Sequence, residues 1–275
     1  MNVLELCKII ELNEDASKII SRFENNLEIQ QSISCFKELI SDLTSTETAS
    51  TAQTKLETAM NTSEFSEQNK NGMLMLYIHL KAACLSFEKY AQKGISTEIF
   101  KETMKCFSRF INEHYKSYGR TGFDRAFWTY RQLSLQLFRI GQLEYELISP
   151  EESAIHIPSD ADISLDKCRD SFEEYCVFLK KVFGFEPQKF SLDSWLISPA
   201  LDDILEPTSK IIIFKNCFEI QEWNKESEEF KQWIFGKDNI SIEEMPETTS
   251  LQRKTKALLQ NGGKFGTAKG ILKSF

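Results

Sequence analysis

All six prolines of this 275-residue chain lie at or beyond Pro150. Proline breaks helix interiors and is confined to turns, strand edges and helix starts. The half without it is free to run as helices, whereas the half that contains it must be mixed. The chain therefore divides into a helical part and a mixed part, with any chemistry expected in the second. At this length there is room for one large domain or two ordinary ones.

Helical spacing of apolar residues recurs through the first half. Val3, Leu6, Cys7 and Ile10 share a face across 3–12, and Leu27, Ile33, Phe36, Leu39, Ile40 and Leu43 do so across 27–43. The Ser/Thr-rich segment 44–54 breaks the periodicity and reads as a loop or linker. Residues 68–93 give the strongest helix, with Met73, Leu76, Tyr77, Leu80, Cys84, Phe87 and Tyr90 on one face. Gly94 suits its end, and Ser96 or Thr97 can cap the next helix. A further helix is expected from Asp124 to about Phe138.

Beyond Gly141 the pattern changes. Runs 143–148 and 154–157 read as paired strands around Ser149-Pro150-Glu151-Glu152. Asp162 or Ser164 can cap a helix whose core face holds Leu165, Cys168, Phe172, Tyr175 and Leu179. Strands are expected at 190–197, 210–214 and 218–223, the last after a bulge, and 230–235 fits a strand or a helical turn. Ser250 caps a last helix over 251–260, and 262–270 reads as a flexible Gly- and Lys-rich turn.

The net charge of −8 argues against general nucleic-acid binding. No apolar run approaches bilayer length, and the N-terminus lacks signal-peptide features, so a cytoplasmic protein without a membrane partner is expected. Seven cysteines with no C-x-x-C pair fit reduced thiols. His79, His114 and His156 are too far apart in sequence for the usual ligand spacings, so no metal site is expected. A nucleophile elbow, a Walker loop and a dinucleotide fingerprint are all missing. From Thr248 onward there is no acidic residue, while Arg253, Lys254, Lys256, Lys264, Lys269 and Lys273 make the segment basic. It is either solvated or faces an anionic ligand.

The run His156-Ile157-Pro158-Ser159-Asp160 concentrates the candidate chemistry. Strand alternation sends Ile155 and Ile157 to the core and His156 to the opposite face. There an imidazole can accept a proton near neutral pH, or it is held by ordinary hydrogen bonds. Ser159 and Asp160 suit a turn into the following helix. Glu144 and Glu146 flank Tyr145 and share one face, toward solvent or a groove. Trp195 reads as a core or groove-wall aromatic, and Arg131 as an exposed or paired charge.

At these residues the sequence resembles a bacterial family of acyltransferases that joins an N-terminal helical N-acyltransferase domain to a GNAT-like C-terminal domain. The matching stretches include Phe123-Asp124-Arg125-Ala126-Phe127-Trp128, Phe138-Arg139-Ile140-Gly141-Gln142-Leu143-Glu144-Tyr145-Glu146-Leu147, Ile155-His156-Ile157-Pro158-Ser159-Asp160-Ala161, Ser194-Trp195-Leu196-Ile197-Ser198-Pro199 and Leu251-Gln252-Arg253.

The resemblance implies an α+β protein: a helical domain over 1–121, then a GNAT-like mixed sheet flanked by helices over 122–275. It implies acyl transfer from a coenzyme A thioester to a small-molecule amine, with acetyl-CoA or another acyl-CoA as co-substrate. Strands 154–157 and 190–197 would splay around the pantetheine arm, and the turn at 158–163 would face the pyrophosphate. Glu144 or His156 would be the base, directly or through water. Arg131, Trp195 and Ser198 would meet the substrate. Ser159 would cap the helix beside the thioester, and Ser159, Asp160 and Arg253 would contact the cofactor.

Two departures accompany the resemblance. Pro158-Ser159-Asp160-Ala161-Asp162 replaces the usual R/Q-x-x-G-x-G/A turn, so one N–H is lost and two carboxylates oppose a pyrophosphate. No tyrosine stands between Pro199 and Pro207 to protonate a leaving thiolate. The basic segment with Arg253 and 262–270 is then a candidate source of phosphate contacts. The alternative function is a non-catalytic GNAT-like module that binds a ligand or a protein.

Overall fold

A computed structural model describes all 275 residues, in two compact units, Met1–Arg139 and Ile140–Phe275. The first unit is helical: α1 (Val3–Ile9), α2 (Glu14–Asn25), α3 (Leu27–Ile33), α4 (Lys37–Asp42), α5 (Ala49–Met60), α6 (Met73–Gln92), α7 (Thr97–Met104), α8 (Cys106–Tyr118) and α9 (Ala126–Leu133). Helix α6 is its axis. Every side chain from Met73 to Leu80 is buried, so its first two turns are enclosed on all sides rather than on one face. Helices α1, α2, α4, α7 and α9 pack around it.

Two expectations fail in this unit. The segment expected as a loop at 44–54 contributes the start of α5, whose Ala49, Ala52, Leu56 and Met60 are buried at helical spacing. Its threonines turn inward on the helix itself: the Thr54 and Thr58 hydroxyls donate to the carbonyls of Ser50 and Thr54 at 3.1 and 2.9 Å. The helix expected to reach Phe138 ends at Leu133, where Leu135 takes a φ of 59° and reverses the chain. Strand β1 (Leu137–Ile140) follows directly.

Helix α9 also moves the boundary between units later than the expected 121/122. His79 Nδ1 lies 2.8 Å from Thr129 Oγ1, and the Ser86 and Tyr90 hydroxyls donate to the carbonyls of Leu133 and Gln132 at 2.6 and 2.8 Å. These bonds tie α9 to α6.

His79 makes the helical unit acid-sensitive. Its ring is fully buried, its Nε2 has no partner, and burial pushes its pKa down to about 3. In the unfolded chain the ring takes a proton near pH ~6.5. Between those values the unfolded state binds more protons than the native state. Stability through this residue is therefore complete above about pH 6.5 and is lost as pH falls toward 3. Going from pH 7 to 5 should remove about 2 kcal/mol by this route. Urea midpoints at both pH values, for the natural protein and a His79→Gln variant, check it. The variant should lose less on acidification, and equal losses would rule the assignment out.

The sheet is six-stranded and mixed, in the order β1-β2-β3-β4-β6-β5, and all of it after Arg139 belongs to the second unit. Its remaining strands are β2 (Leu143–Ser149), β3 (Glu152–His156), β4 (Lys189–Ser194), β5 (Phe218–Asn224) and β6 (Thr267–Leu272). Strand β3 runs parallel to β4, and β6 is antiparallel to both β4 and β5. Strand β5 has its irregularity between Ile220 and Glu222, inside the strand and not before it as expected.

Helix α10 (Leu165–Phe183) covers one face of the sheet. Tyr145 stacks on Tyr175 with ring centroids 4.0 Å apart. The Tyr145 hydroxyl meets Ser171 Oγ at 3.1 Å, and Ser153 Oγ meets the Tyr175 hydroxyl at 2.9 Å. The turn between β1 and β2 presses onto α10 at Gly141, which has φ 59°. A Cβ there would lie 2.9 Å from Ser171 Cβ, so both conformation and space require glycine.

Three further expectations are corrected here. Residues 210–214, with their three isoleucines, form a helix, α12 (Lys210–Lys215), not a strand. A short apolar run fits either structure by periodicity. Packing decides: Ile212, Phe214 and Lys215 point inward, and Lys215 Nζ grips both carboxylate oxygens of Asp202 at 2.9 and 2.8 Å. The strand expected over 190–197 ends at Ser194, whose hydroxyl accepts from the Leu196 N–H at 3.1 Å and turns Trp195–Ile197 into a 3-10 turn. The turn expected over 262–270 supplies much of β6, an interior strand. The open choice at 230–235 resolves as helix α13 (Phe230–Phe235). It packs with α11 (Leu201–Ile204) and α14 (Ser250–Gln260) around Leu201, Ile212, Phe230, Ile234 and Phe265.

Candidate active site

Strands β3 and β4 are joined by only three register pairs: Glu152 with Lys189, Ser153 with Phe190, and Ala154 with Ser191. Beyond Ala154 and Ser191 the strands part. Each keeps its outer neighbour. Ile155 and His156 stay paired with Tyr145 and Glu144, while Leu192, Asp193 and Ser194 stay paired with Gly270, Lys269 and Ala268. The result is a split in the middle of the sheet, with two strand edges that lack a ladder partner. Glu152 fastens its closed end, accepting from Ser191 Oγ and Lys189 Nζ at 3.0 Å each. These bonds depress the Glu152 carboxyl pKa, the Lys189 bond most, and keep it ionised.

Because side chains alternate, Tyr145, Ser153 and Ile155 face the α10 side, and Glu144, Glu146 and His156 face the other. The pairing of Glu144 with His156 brings the two expected bases side by side. His156 Nε2 lies 2.9 Å from Glu146 Oε2, with both side chains mostly shielded. Glu144 is only 3% exposed. Glu146 had no role beyond sharing a face with Glu144. Only the hairpin register, which sets it diagonal to the histidine, shows it as the partner. If Nε2 donates to Glu146, the carboxylate offsets the positive charge the ring gains on taking a proton.

The turn after β3 is closed by the Ala161 N–H donating to the Pro158 carbonyl at 3.0 Å. Ser159 and Asp160 are exposed on it. Ser159 is not the cap of α10. That position is Ser164, and the side chain that serves the helix start is Asp162, whose Oδ1 accepts from the Ser164 N–H at 3.1 Å. Bonds from Ser164 hold the Asp162 carboxyl below its usual range, with Lys210 Nζ, at 3.4 Å, adding to the effect. Asp166 in the first helical turn is depressed as well, by the Ser164 hydroxyl first. The positive end of α10 is thus already faced by two carboxylates of the protein.

The other expected residues have contacts of their own. Trp195 is half-buried against the apolar cluster, its ring 6.4 Å from that of Phe265. Ser198 is fully buried and donates its hydroxyl to the Phe265 carbonyl. Arg253, on α14, donates to the Glu247 and Thr248 carbonyls at 2.9 and 3.4 Å, closing the loop before its own helix. Arg131 belongs to the helical unit, with its guanidinium 4.5 and 4.8 Å from the Trp128 and Tyr130 rings.

Comparisons with known proteins cover both units. Residues 1–135 match the N-acyltransferase N-terminal domain, and residues 137–272 match the GNAT-like C-terminal domain. No curated protein gives a significant match. Among solved structures, an acyltransferase in complex with decanoyl-CoA and teicoplanin is 18% identical, with TM-score 0.79 over 98% of this chain and 87% of that one. A mutant acyltransferase in complex with octanoyl-CoA is also 18% identical, with TM-score 0.78 over the same shares. A third, an acyltransferase in complex with CoA and 10C-teicoplanin, is 16% identical, with TM-score 0.69 over 100% of both chains. The fold is shared along essentially the whole chain, and the chain belongs to the acyltransferase family that joins an N-acyltransferase N-terminal domain to a GNAT-like C-terminal domain.

Proposed function

We infer that the protein transfers an acyl group from an acyl-coenzyme A thioester to an amine, with the split between β3 and β4 as the thioester seat. The observation that carries this reading is the parting of the ladder after Ala154 and Ser191. Two strand edges without partners suit an extended arm that carries amides of its own, such as pantetheine. The arm would restore the hydrogen bonds the sheet forgoes there.

His156 is the base on this reading. The acceptor nitrogen attacks the thioester carbonyl, its proton passes to the His156 imidazole, and Glu146 supports the imidazolium that forms. The new C–N bond forms as the C–S bond breaks, and the imidazolium returns the proton to the departing thiolate. Glu144 adds a second carboxylate beside the ring and is the competing candidate for base.

The phosphates meet a less suitable surface. Asp160, Asp162 and Asp166 surround the start of α10, and Pro158 has no N–H. The Ser159 hydroxyl, the turn amides and Lys210 are the groups placed to offset that charge. This acidic turn also favours the second reading, a GNAT-like module that does not bind coenzyme A.

Thermal unfolding with graded acetyl-, octanoyl- and decanoyl-CoA separates the two. A ligand that binds only the native state adds about 2.7 kcal/mol at a hundredfold excess over its Kd. A saturable rise of several degrees is expected. No rise with any thioester or with free coenzyme A would leave the module.

A further inference from the structure

The turn at the open end of the split is bonded to the protein itself. An arm lying between β3 and β4 with its thioester at His156 leaves the sheet over residues 157–163. The phosphates at its far end then meet the amides of that turn and of the start of α10. Those amides have partners. The Ala161 N–H donates to the Pro158 carbonyl at 3.0 Å, and the Ser164 N–H to Asp162 Oδ1 at 3.1 Å. The Asp162 N–H donates to Gln142 Oε1 at 2.8 Å. In the first helical turn, the Asp166 carboxyl is held below its usual range by the Ser164 hydroxyl first and then by the Lys167 N–H.

Gln142 differs from the other partners. Pro158 and Asp162 belong to the turn and bond amides a few positions away. Gln142 reaches in from the β1–β2 turn, twenty residues earlier in the chain. Its place is set by Gly141, which lies against Ser171 of α10, the helix that Asp162 leads into. Both ends of the bond therefore rest on one helix, and only the glutamine side chain has to rotate to release the N–H. The bond is exposed and its acceptor is a neutral amide oxygen. A phosphate oxygen makes a charge-assisted bond roughly twice as strong. A phosphate can take the N–H from Gln142, but it gains only the difference between the two bonds.

We propose that Gln142 is a latch on the phosphate end of the site: it holds the Asp162 N–H until the pyrophosphate of an acyl-CoA displaces it, so that the pantetheine arm and not the pyrophosphate supplies most of the donor's affinity. The proposal rests on the acyl-transfer reading above. Gln142 touches no reacting atom in it. It weakens the hold on the phosphates alone, and Asp162, bonded to the Ser164 N–H and 3.4 Å from Lys210 Nζ, stays in place beside them.

The test compares acetyl-CoA with S-acetylpantetheine, which has the same thioester and arm but no phosphate. Calorimetric titration of the natural protein should give dissociation constants for the two within about tenfold of each other, the worth of one hydrogen bond. Gln142→Ala should bind acetyl-CoA about three- to tenfold more tightly, since no bond has to be broken first. Gln142→Glu should bind it more weakly, because a charged acceptor holds the same N–H and repels the phosphates. S-acetylpantetheine should bind all three proteins alike. Opposite shifts confined to the phosphate-bearing donor are not what a loosened or misfolded turn would produce. Acetyl-CoA affinity that is unchanged or reduced in Gln142→Ala, equal shifts for both donors, or S-acetylpantetheine binding to the natural protein more than about tenfold weaker than acetyl-CoA would each overturn the latch. Those outcomes leave acyl transfer standing. Binding of neither donor to any of the three proteins would instead remove the acyl-transfer reading, and the latch with it.

Discussion

Replacing His156 with alanine should lower kcat for acyl transfer by about a hundredfold to ten-thousandfold, the range usual for a lost general base. The fold should tolerate the change. The ring is partly exposed on the face away from α10, and it pairs with Glu146. Thermal unfolding of the variant serves as the control. The comparison that decides roles is with Glu144→Gln and Glu146→Gln. Glu146→Gln keeps the size of the partner and removes its charge, so an intermediate loss in kcat with little change in thioester affinity is expected. If Glu144→Gln costs as much as His156→Ala, Glu144 is the base and the histidine only orients it. Normal turnover by His156→Ala would remove the histidine from the chemistry.

Truncation after Gly266 should be the most damaging change to the second unit. It deletes β6, which pairs with β4 on one side and β5 on the other. Strand β5 then loses its ladder, and the buried Ala268 and Gly270 leave a gap under Ile197 and Phe218. Phe275, whose ring lies 5.7, 6.1 and 6.0 Å from those of Phe172, Phe214 and Phe218, goes as well. Domains have only about 5–15 kcal/mol of net stability, and a lost interior strand exceeds that margin. The expected result is loss of cooperative unfolding from this unit, seen as rapid proteolysis across residues 140–266. A truncated protein with the natural melting temperature would contradict the sheet order itself.

The same strand shows where the sequence was hard to interpret. Thr267-Ala268-Lys269-Gly270-Ile271-Leu272 contains a glycine and a lysine, and it follows Gly262-Gly263 and Gly266. Nothing local announces an interior strand. Its conformation comes from β4 and β5, more than forty residues upstream. The three isoleucines at 211–213 carry the opposite lesson. Their strong strand propensity gave way to packing as a helix. Alternation was decisive where one face is buried and the other polar, as at 143–148, and the face of His156 followed from the same pattern. The link from His156 to Glu146 required the register. Ser198, expected at the substrate, and Arg253, expected at the cofactor, donate to backbone carbonyls.

The parted ladder also bears on cooperativity. The six strands amount to two three-stranded ribbons, β1-β2-β3 and β4-β6-β5, joined by three register pairs, one glutamate clasp and the aromatic layer beneath them. A ribbon of three strands is near the lower limit of independent stability. Such a seam lets one half open while the other holds, in the manner of separate folding units. A molecule lying along both free edges adds the missing rungs and couples the halves. Its binding then registers as fewer partial openings at the seam and not only as a higher midpoint, so the co-substrate would complete the sheet in which it reacts.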